Sequence, residues 1–185
     1  VDRDDFPSDH SMSTHFIQLH GVELLEELGL GEALRKIASP ITTIVGGTDD
    51  VPIWLDLKGP KTPCFCPRRT DLDALLVETA REAGAEIRTR TKLVELVKEG
   101  DRVVGAIVEH AGEREEIRAS VVVGADGFNS TVAKLAGAET YKEYECPRAG
   151  YWSYWKRPSW YETDERYRGA GFNVHRGEAY RLAFP

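Results

Sequence analysis

Apolar positions recur at helical spacing in the first part of the chain. Val22, Leu24, Leu25, Leu28, Leu30, Leu34 and Ile37 predict a helical face over 21–37, interrupted near Gly29 and Gly31 and ended by Pro40. A second such face, Leu72, Leu75, Leu76, Thr79 and Ala80, predicts a helix stopped by Gly84, with Thr70 or Asp71 as its cap. Between them the period changes to two. Ile41–Val45 and Ile53–Leu57 read as strands of a hairpin around the turn Gly46-Gly47-Thr48-Asp49-Asp50.

Further on, Ala85–Arg88 reads as a short strand. Residues 91–98 and 102–109 read as a hairpin over Glu99-Gly100-Asp101, and 115–119 continues it into a meander. The β-branched run Val121-Val122-Val123 predicts another strand. It is followed by Gly124-Ala125-Asp126-Gly127 and then by a small-residue helix capped by Asn129 or Ser130 and closed by Gly137. From 148 onward the composition shifts to aromatic runs, Tyr151–Trp155, Trp160-Tyr161, Phe172–His175 and Ala179–Phe184, which predict antiparallel strands of a second domain.

Composition narrows the class. The chain has 185 residues, 41% hydrophobic and 30% charged, enough for one core with part of another. A formal net charge of −7 argues against a nucleic-acid surface. No apolar run is long enough to span a bilayer, and Val1-Asp2-Arg3-Asp4-Asp5 has neither the basic nor the apolar region of a signal peptide, so the expected location is the cytoplasm. Cys64, Cys66 and Cys146 lack the companions of a metal site and read as reduced thiols. No metal is expected.

The strand, Gly-Ala-Asp-Gly turn and helix form a binding edge. Its glycines let the backbone approach a ligand, and its N–H groups suit an anionic or hydroxyl-rich cofactor; the alternative is a plain strand-to-helix turn. At the N-terminus, Asp2 stands where a strand end meets an acidic turn, the place where dinucleotide-binding folds bind ribose; the alternative is a charged terminal residue. No G-x-G-x-x-G occurs, so the phosphate cradle is expected upstream and the chain is read as an internal piece.

The wording Gly124-Ala125-Asp126-Gly127-x-x-Ser130-x-Val132 after a valine strand resembles the second flavin motif of the FAD-dependent monooxygenase superfamily, which includes geranylgeranyl-reductase-like enzymes. Three other features occur in the order that this family shows them. They are the acid Asp2 followed by Arg3, the Ser13-Thr14-His15 loop and the Arg-x-x-Leu of Arg69 and Leu72. One departure is Ala133, where the family usually has Arg.

The resemblance implies a fold of mixed α/β and α+β character: an incomplete Rossmann-like FAD-binding domain with a β-meander, at 1–40 and 64–146, and part of an antiparallel-sheet substrate domain, at 41–63 and 147–185. It implies FAD held by Asp2, Arg3, Ser13, Thr14, Arg69, Leu93, Gly124, Ala125, Asp126 and Gly127, with His15 a further candidate beside the flavin and Leu93 offering backbone groups to adenine. The implied activity is an oxidoreductase, a flavin monooxygenase using NAD(P)H and oxygen on a small-molecule substrate. The alternatives are a geranylgeranyl-reductase-like flavin reductase or dehydrogenase, and an inactive fragment or non-catalytic module unable to hold FAD alone. No general base is assigned, because the flavin carries the bond-making. The substrate, the choice of NADH or NADPH and the oligomeric state are not specified by these residues.

Overall fold

The computed structural model describes residues 1–8, 13, 15–48, 51–56, 63–145, 149–167, 169–176 and 179–184. The chain divides into two compact units, one made of Val1–Phe6 and Ala80–Trp152, the other of Pro7–Thr79 and Ser153–Pro185.

In the first unit the predicted meander is present as β5 (Thr91–Glu99), β6 (Arg102–His110) and β7 (Glu113–Arg118), antiparallel in that order. Its turns use Gly100 at φ 60° and Gly112 at φ 85°, conformations that glycine adopts without a Cβ penalty. Cross-strand ion pairs line the sheet: Lys92 with Glu109, and Arg118 with Glu99 across the meander. The N-terminal residues run beside the entry to β5. The Asp2 amide donates to the Arg88 carbonyl at 2.8 Å and the Thr91 amide donates to the Asp2 carbonyl at 2.8 Å.

Two expected strands are not formed here. Residues 85–88 and 121–123 belong to no sheet among the described residues. A strand exists only through its neighbour, and these two runs have no ladder partner. Val121 and Val123 accordingly stay 72% and 77% exposed. The short helix α4 (Thr131–Ala136) follows, closed by Gly137 at φ 72° as expected, and packs against β5.

The core of the second unit joins the two predicted helical faces. The first is split as expected, into α1 (Leu19–Glu27) and α2 (Gly31–Ile37), with Gly29 at φ 78° in the break. Val22, Leu25, Leu30 and Leu34 bury with Phe65, while Leu72 and Leu75 of α3 (Arg69–Glu82) pack against them. The α3 cap differs from expectation. The Arg68 carbonyl accepts from the Asp71 and Leu72 amides, so the helix starts ahead of Thr70 and Asp71.

A four-stranded sheet, in the order β3-β2-β8-β9, is formed by β2 (Thr43–Thr48), β3 (Val51–Asp56), β8 (Ala170–Arg176) and β9 (Ala179–Ala183). Gly46 and Gly47 lie inside β2 and not in the turn; Asp49 and Asp50, also assigned to that turn, fall outside the described residues. The β2–β8 pair is parallel, so the sheet is mixed where an antiparallel one was expected. Two-residue strands β1 (Pro40–Ile41) and β4 (Cys64–Phe65) pair separately. The aromatic stretch is a strand only in part. Tyr151–Trp155 is irregular and Trp160-Tyr161 opens the one-turn helix α5 (Ser159–Thr163), because Pro158 suits a helix start and supplies no ladder donor.

Candidate flavin site

In the first unit the Gly-Ala-Asp-Gly turn is held by its own helix. The Asp126 carboxylate accepts from Ser130 Oγ at 2.5 Å, from the Thr131 amide at 2.6 Å and from the Val132 amide at 3.1 Å. Ser130 Oγ in turn accepts from the Ala133 amide at 2.9 Å. The Ser130 hydroxyl, and after it the Val132 and Thr131 amides, hold the Asp126 carboxyl below the usual carboxylate range. The Thr131, Val132 and Ala133 amides at the start of the helix are therefore taken by Asp126 and Ser130. Ser130 is the cap, as one of the two sequence candidates, and Asp126 is a second acceptor that the motif did not announce.

The two glycines of this turn serve different ends. A Cβ on Gly124 would lie 2.8 Å from the Val132 side chain, so this glycine lets α4 close onto the strand-like segment. Gly127 has φ 78° and nothing within 4 Å of where its Cβ would be, leaving the backbone open on that side. Ala125 lies between them, exposed and outside any helix or strand.

Asp2 lies in the same unit, and β5 is the element common to both candidates. Asp2 joins its first residue through the Thr91 amide, while α4 packs along it. Asp2 Oδ1 accepts from the Asp4 amide at 2.9 Å, and Oδ2 makes no hydrogen bond among the described residues. Arg3 is exposed and touches Asp4 at 3.5 Å. Leu93 is half-buried in β5 opposite Val108, beside a register shift between Leu93 and Glu95 that frees the ladder locally.

A cleft of about 540 Å³ opens next to this entry, lined among others by Arg88, Thr91, Val108, His110 and Glu113. Thr91 is 3% exposed and its hydroxyl donates to the Thr89 carbonyl at 2.8 Å. His110 Nδ1 lies 3.2 Å from the Arg90 carbonyl, which places the ring proton on Nδ1.

Arg69 and Ser13 belong to the second unit. Arg69 forms a bidentate pair with Asp73, one turn along α3, through Nε to Oδ1 at 2.7 Å and Nη2 to Oδ2 at 2.9 Å. Ser8 Oγ also donates to Asp73 Oδ2. The anion that the sequence reading sought for Arg69 is thus supplied within the helix, while Nη1 makes no hydrogen bond among the described residues. Ser13 Oγ accepts from the His15 amide at 3.1 Å; Thr14 lies outside the described residues. His15 has φ 58°, and its Nε2 is 3.0 Å from the Tyr154 hydroxyl. Sequence reasoning missed Ser8, Asp73 and Tyr154. Only Asp73 carried a signal, its i,i+4 spacing from Arg69.

Taken unit by unit, the residues offer groups of the kind a dinucleotide engages: in the first, a carboxylate oxygen at Asp2 and open backbone at Gly127; in the second, a guanidinium edge at Arg69. The chain is thus of mixed α/β character, with a meander and a Gly-Ala-Asp-Gly helix start in one unit and a mixed sheet in the other.

The model of the FAD binding domain matches residues 1–154, and the chain belongs to that family. It is 46% identical over 72 residues to digeranylgeranylglycerophospholipid reductase of Methanosarcina mazei, a stretch that covers 39% of this chain and 18% of that one. The geranylgeranyl bacteriochlorophyll reductase-like protein of Thermoplasma acidophilum matches 99% of this chain and 46% of its own, with a TM-score of 0.74 at 18% identity. The anhydrotetracycline hydroxylase OxyS of Streptomyces rimosus matches 74% of this chain and 28% of its own, with a TM-score of 0.62 at 28% identity. The chain spans less than a third of the curated relative's length. Among the described residues, no helix is long and apolar enough to cross a membrane.

Proposed function

We propose that this chain is part of a flavin-dependent reductase that saturates carbon–carbon double bonds of an apolar, isoprenoid-type substrate. The single observation that carries this reading is the 46% identity over 72 residues to a digeranylgeranylglycerophospholipid reductase. Bound FAD supplies the hydride chemistry. Asp2 would hold the ribose, with Arg3 beside it, and Leu93 would offer backbone groups to the adenine. Gly124, Ala125, Asp126 and Gly127 present backbone to the diphosphate, and Asp126 keeps that loop in shape by capping α4. Arg69 contributes its open Nη1 edge, with Ser13 and Thr14 on the flavin side. Bound here, FAD would draw its electrons from NAD(P)H or another donor.

The second reading, a monooxygenase, is favoured by the 28% identity and the TM-score of 0.62 to a hydroxylase. Oxygen separates the two. The full-length protein, reduced under anaerobic conditions, is mixed with a polyprenyl alkene and the product is analysed by mass spectrometry. A gain of two hydrogens without oxygen supports the reductase. Product formation only in air, with label from ¹⁸O₂, makes the protein a monooxygenase instead.

A further inference from the structure

In the second unit an aromatic layer lies on one face of the mixed sheet without closing it. Val45 of β2 is in register with Trp54 of β3 and with Phe172 of β8, so these three share one row and one face. Residues of α5 and of the turn after it settle on that row. Trp160 meets Phe172 edge to face at 6.0 Å and Tyr167 at 5.1 Å, and Tyr167 reaches Trp54 at 5.5 Å. The Tyr161 hydroxyl donates to the Ala170 carbonyl at 3.3 Å and ties α5 to β8. Val45 and Tyr161 are buried, yet Trp54 and Trp160 keep 43% and 48% of their surface open.

Beside this layer runs the edge of the sheet, formed by β3. Alternation along the strand sends Trp54 to one face and Val51 and Ile53 to the other, and these two are 61% and 53% exposed. A second β-strand is a poor occupant of this edge, because Pro52 has no N–H to donate to a ladder. A folded partner resting on one face would leave the other bare. A fluid apolar medium takes both.

Charge points the same way. Val51 to Leu55 carries none. Arg157 lies 3.8 Å from Glu162 and Arg166 lies 2.6 Å from Asp164, so each cation at the margin of the layer is neutralised locally. Their guanidinium groups sit 5.4 Å from the ring centroids of Tyr161 and Tyr167. Amphipathic rings bordered by arginine are the composition of the boundary between water and lipid. The net charge of −7 sets the chain against an anionic bilayer.

We propose that the β3 edge and the Trp54 and Trp160 layer beside it rest in the interface of a bilayer of zwitterionic lipid, as a peripheral anchor. This goes beyond the flavoenzyme reading and holds whichever substrate the flavin serves.

The test uses the full-length flavoprotein with vesicles of phosphatidylcholine, alone or mixed equally with phosphatidylglycerol, and the variants I53S, W54S and W54Y. Flotation measures binding, and brominated phosphatidylcholine, which quenches tryptophan at close range, reports insertion. Flavin content and thermal melts check that each variant folds. The wild type is expected to float with pure phosphatidylcholine regardless of salt and to lose tryptophan emission on brominated vesicles. I53S and W54S each weaken flotation roughly tenfold, the effect of withholding one large apolar side chain from burial, and W54Y retains most of it. Should W54S not fold, I53S, which lies outside the ring cluster, and the quenching of the wild type decide. Failure of the wild type to float, or flotation that neither serine variant lowers, overturns the anchor. So does flotation that needs phosphatidylglycerol and vanishes in high salt. A lipid-free dimer that I53S dissolves would give the edge to a second copy of the chain and equally end the proposal.

Discussion

Arg69 and Asp73 face each other across one turn of α3 and share two hydrogen bonds, 2.7 and 2.9 Å, with Asp73 only 9% exposed. A buried carboxylate with one cationic partner loses its compensation when that partner goes, and the arginine loses its orientation when the carboxylate goes. Asp73→Ala is expected to destabilise the protein by about 2 kcal/mol, less than a fully buried pair because Arg69 is a third exposed. Urea melts of both single variants and the double variant measure the coupling. Strict additivity would mean that the pair is decorative.

Flavin affinity gives that pair a second readout. Asp73→Asn retains the shape but removes the charge that fixes the fork, so the full-length variant is expected to hold FAD several-fold more weakly, an effect of one misplaced charge-assisted bond. Fluorescence titration of the apoprotein with FAD checks this, and unchanged affinity would detach Arg69 from the cofactor.

Gly124→Ala places a methyl group 2.8 Å from the Val132 side chain. Overpacking of this kind costs roughly 1–3 kcal/mol, and Val132→Ala in the same molecule should recover only the part due to the γ-methyl groups, because the Val132 Cβ is itself 2.8 Å away. Thermal melts of the single and double variants decide. A fully stable Gly124→Ala would show that α4 moves freely off the turn.

Acid should release α4. Because the folded-state pKa of Asp126 is lowered, its contribution to folding is complete above the ordinary aspartate value and is lost as pH falls through the lowered one. Asp126→Asn removes this titration, so the variant should show a flatter fall of stability between neutral pH and about pH 2 than the wild type. Chemical denaturation across that range provides the curve; parallel profiles would place the carboxylate outside the folding equilibrium.

Burial pushes the Cys66 thiol up to about 11. At pH 8 it is therefore a thiol and not a thiolate, and alkylation of the folded protein at Cys66 should be far slower than in urea. Peptide mapping after timed iodoacetamide treatment shows this. Above the ordinary thiol value the unfolded chain gains the ionised form first, so stability should decline as pH rises toward about 11.

Much of the architecture could be read from the residues, where the interactions are local. The split of α1 from α2 followed from Gly29 and Gly31, and the meander followed from alternation punctuated by Gly100, with the turn at Gly112 not anticipated. Reading failed where structure depends on distant partners. Val121–Val123 has every property of a strand except a neighbour, and Gly47 looks like a turn glycine although its φ of 119° serves the end of β2. At the candidate site the motif drew attention to Asp126 but did not reveal that its carboxylate turns back onto Thr131 and Val132. The pairing of His15 with Tyr154, 139 positions apart, leaves no mark in local sequence.

The bare valines at 121 and 123 also matter at the bench. Their segment offers an apolar ribbon whose backbone joins no sheet among the described residues, the ingredients from which intermolecular sheets grow. Preparations of these 185 residues should cloud with rising concentration, and lysine at either valine should keep them clear.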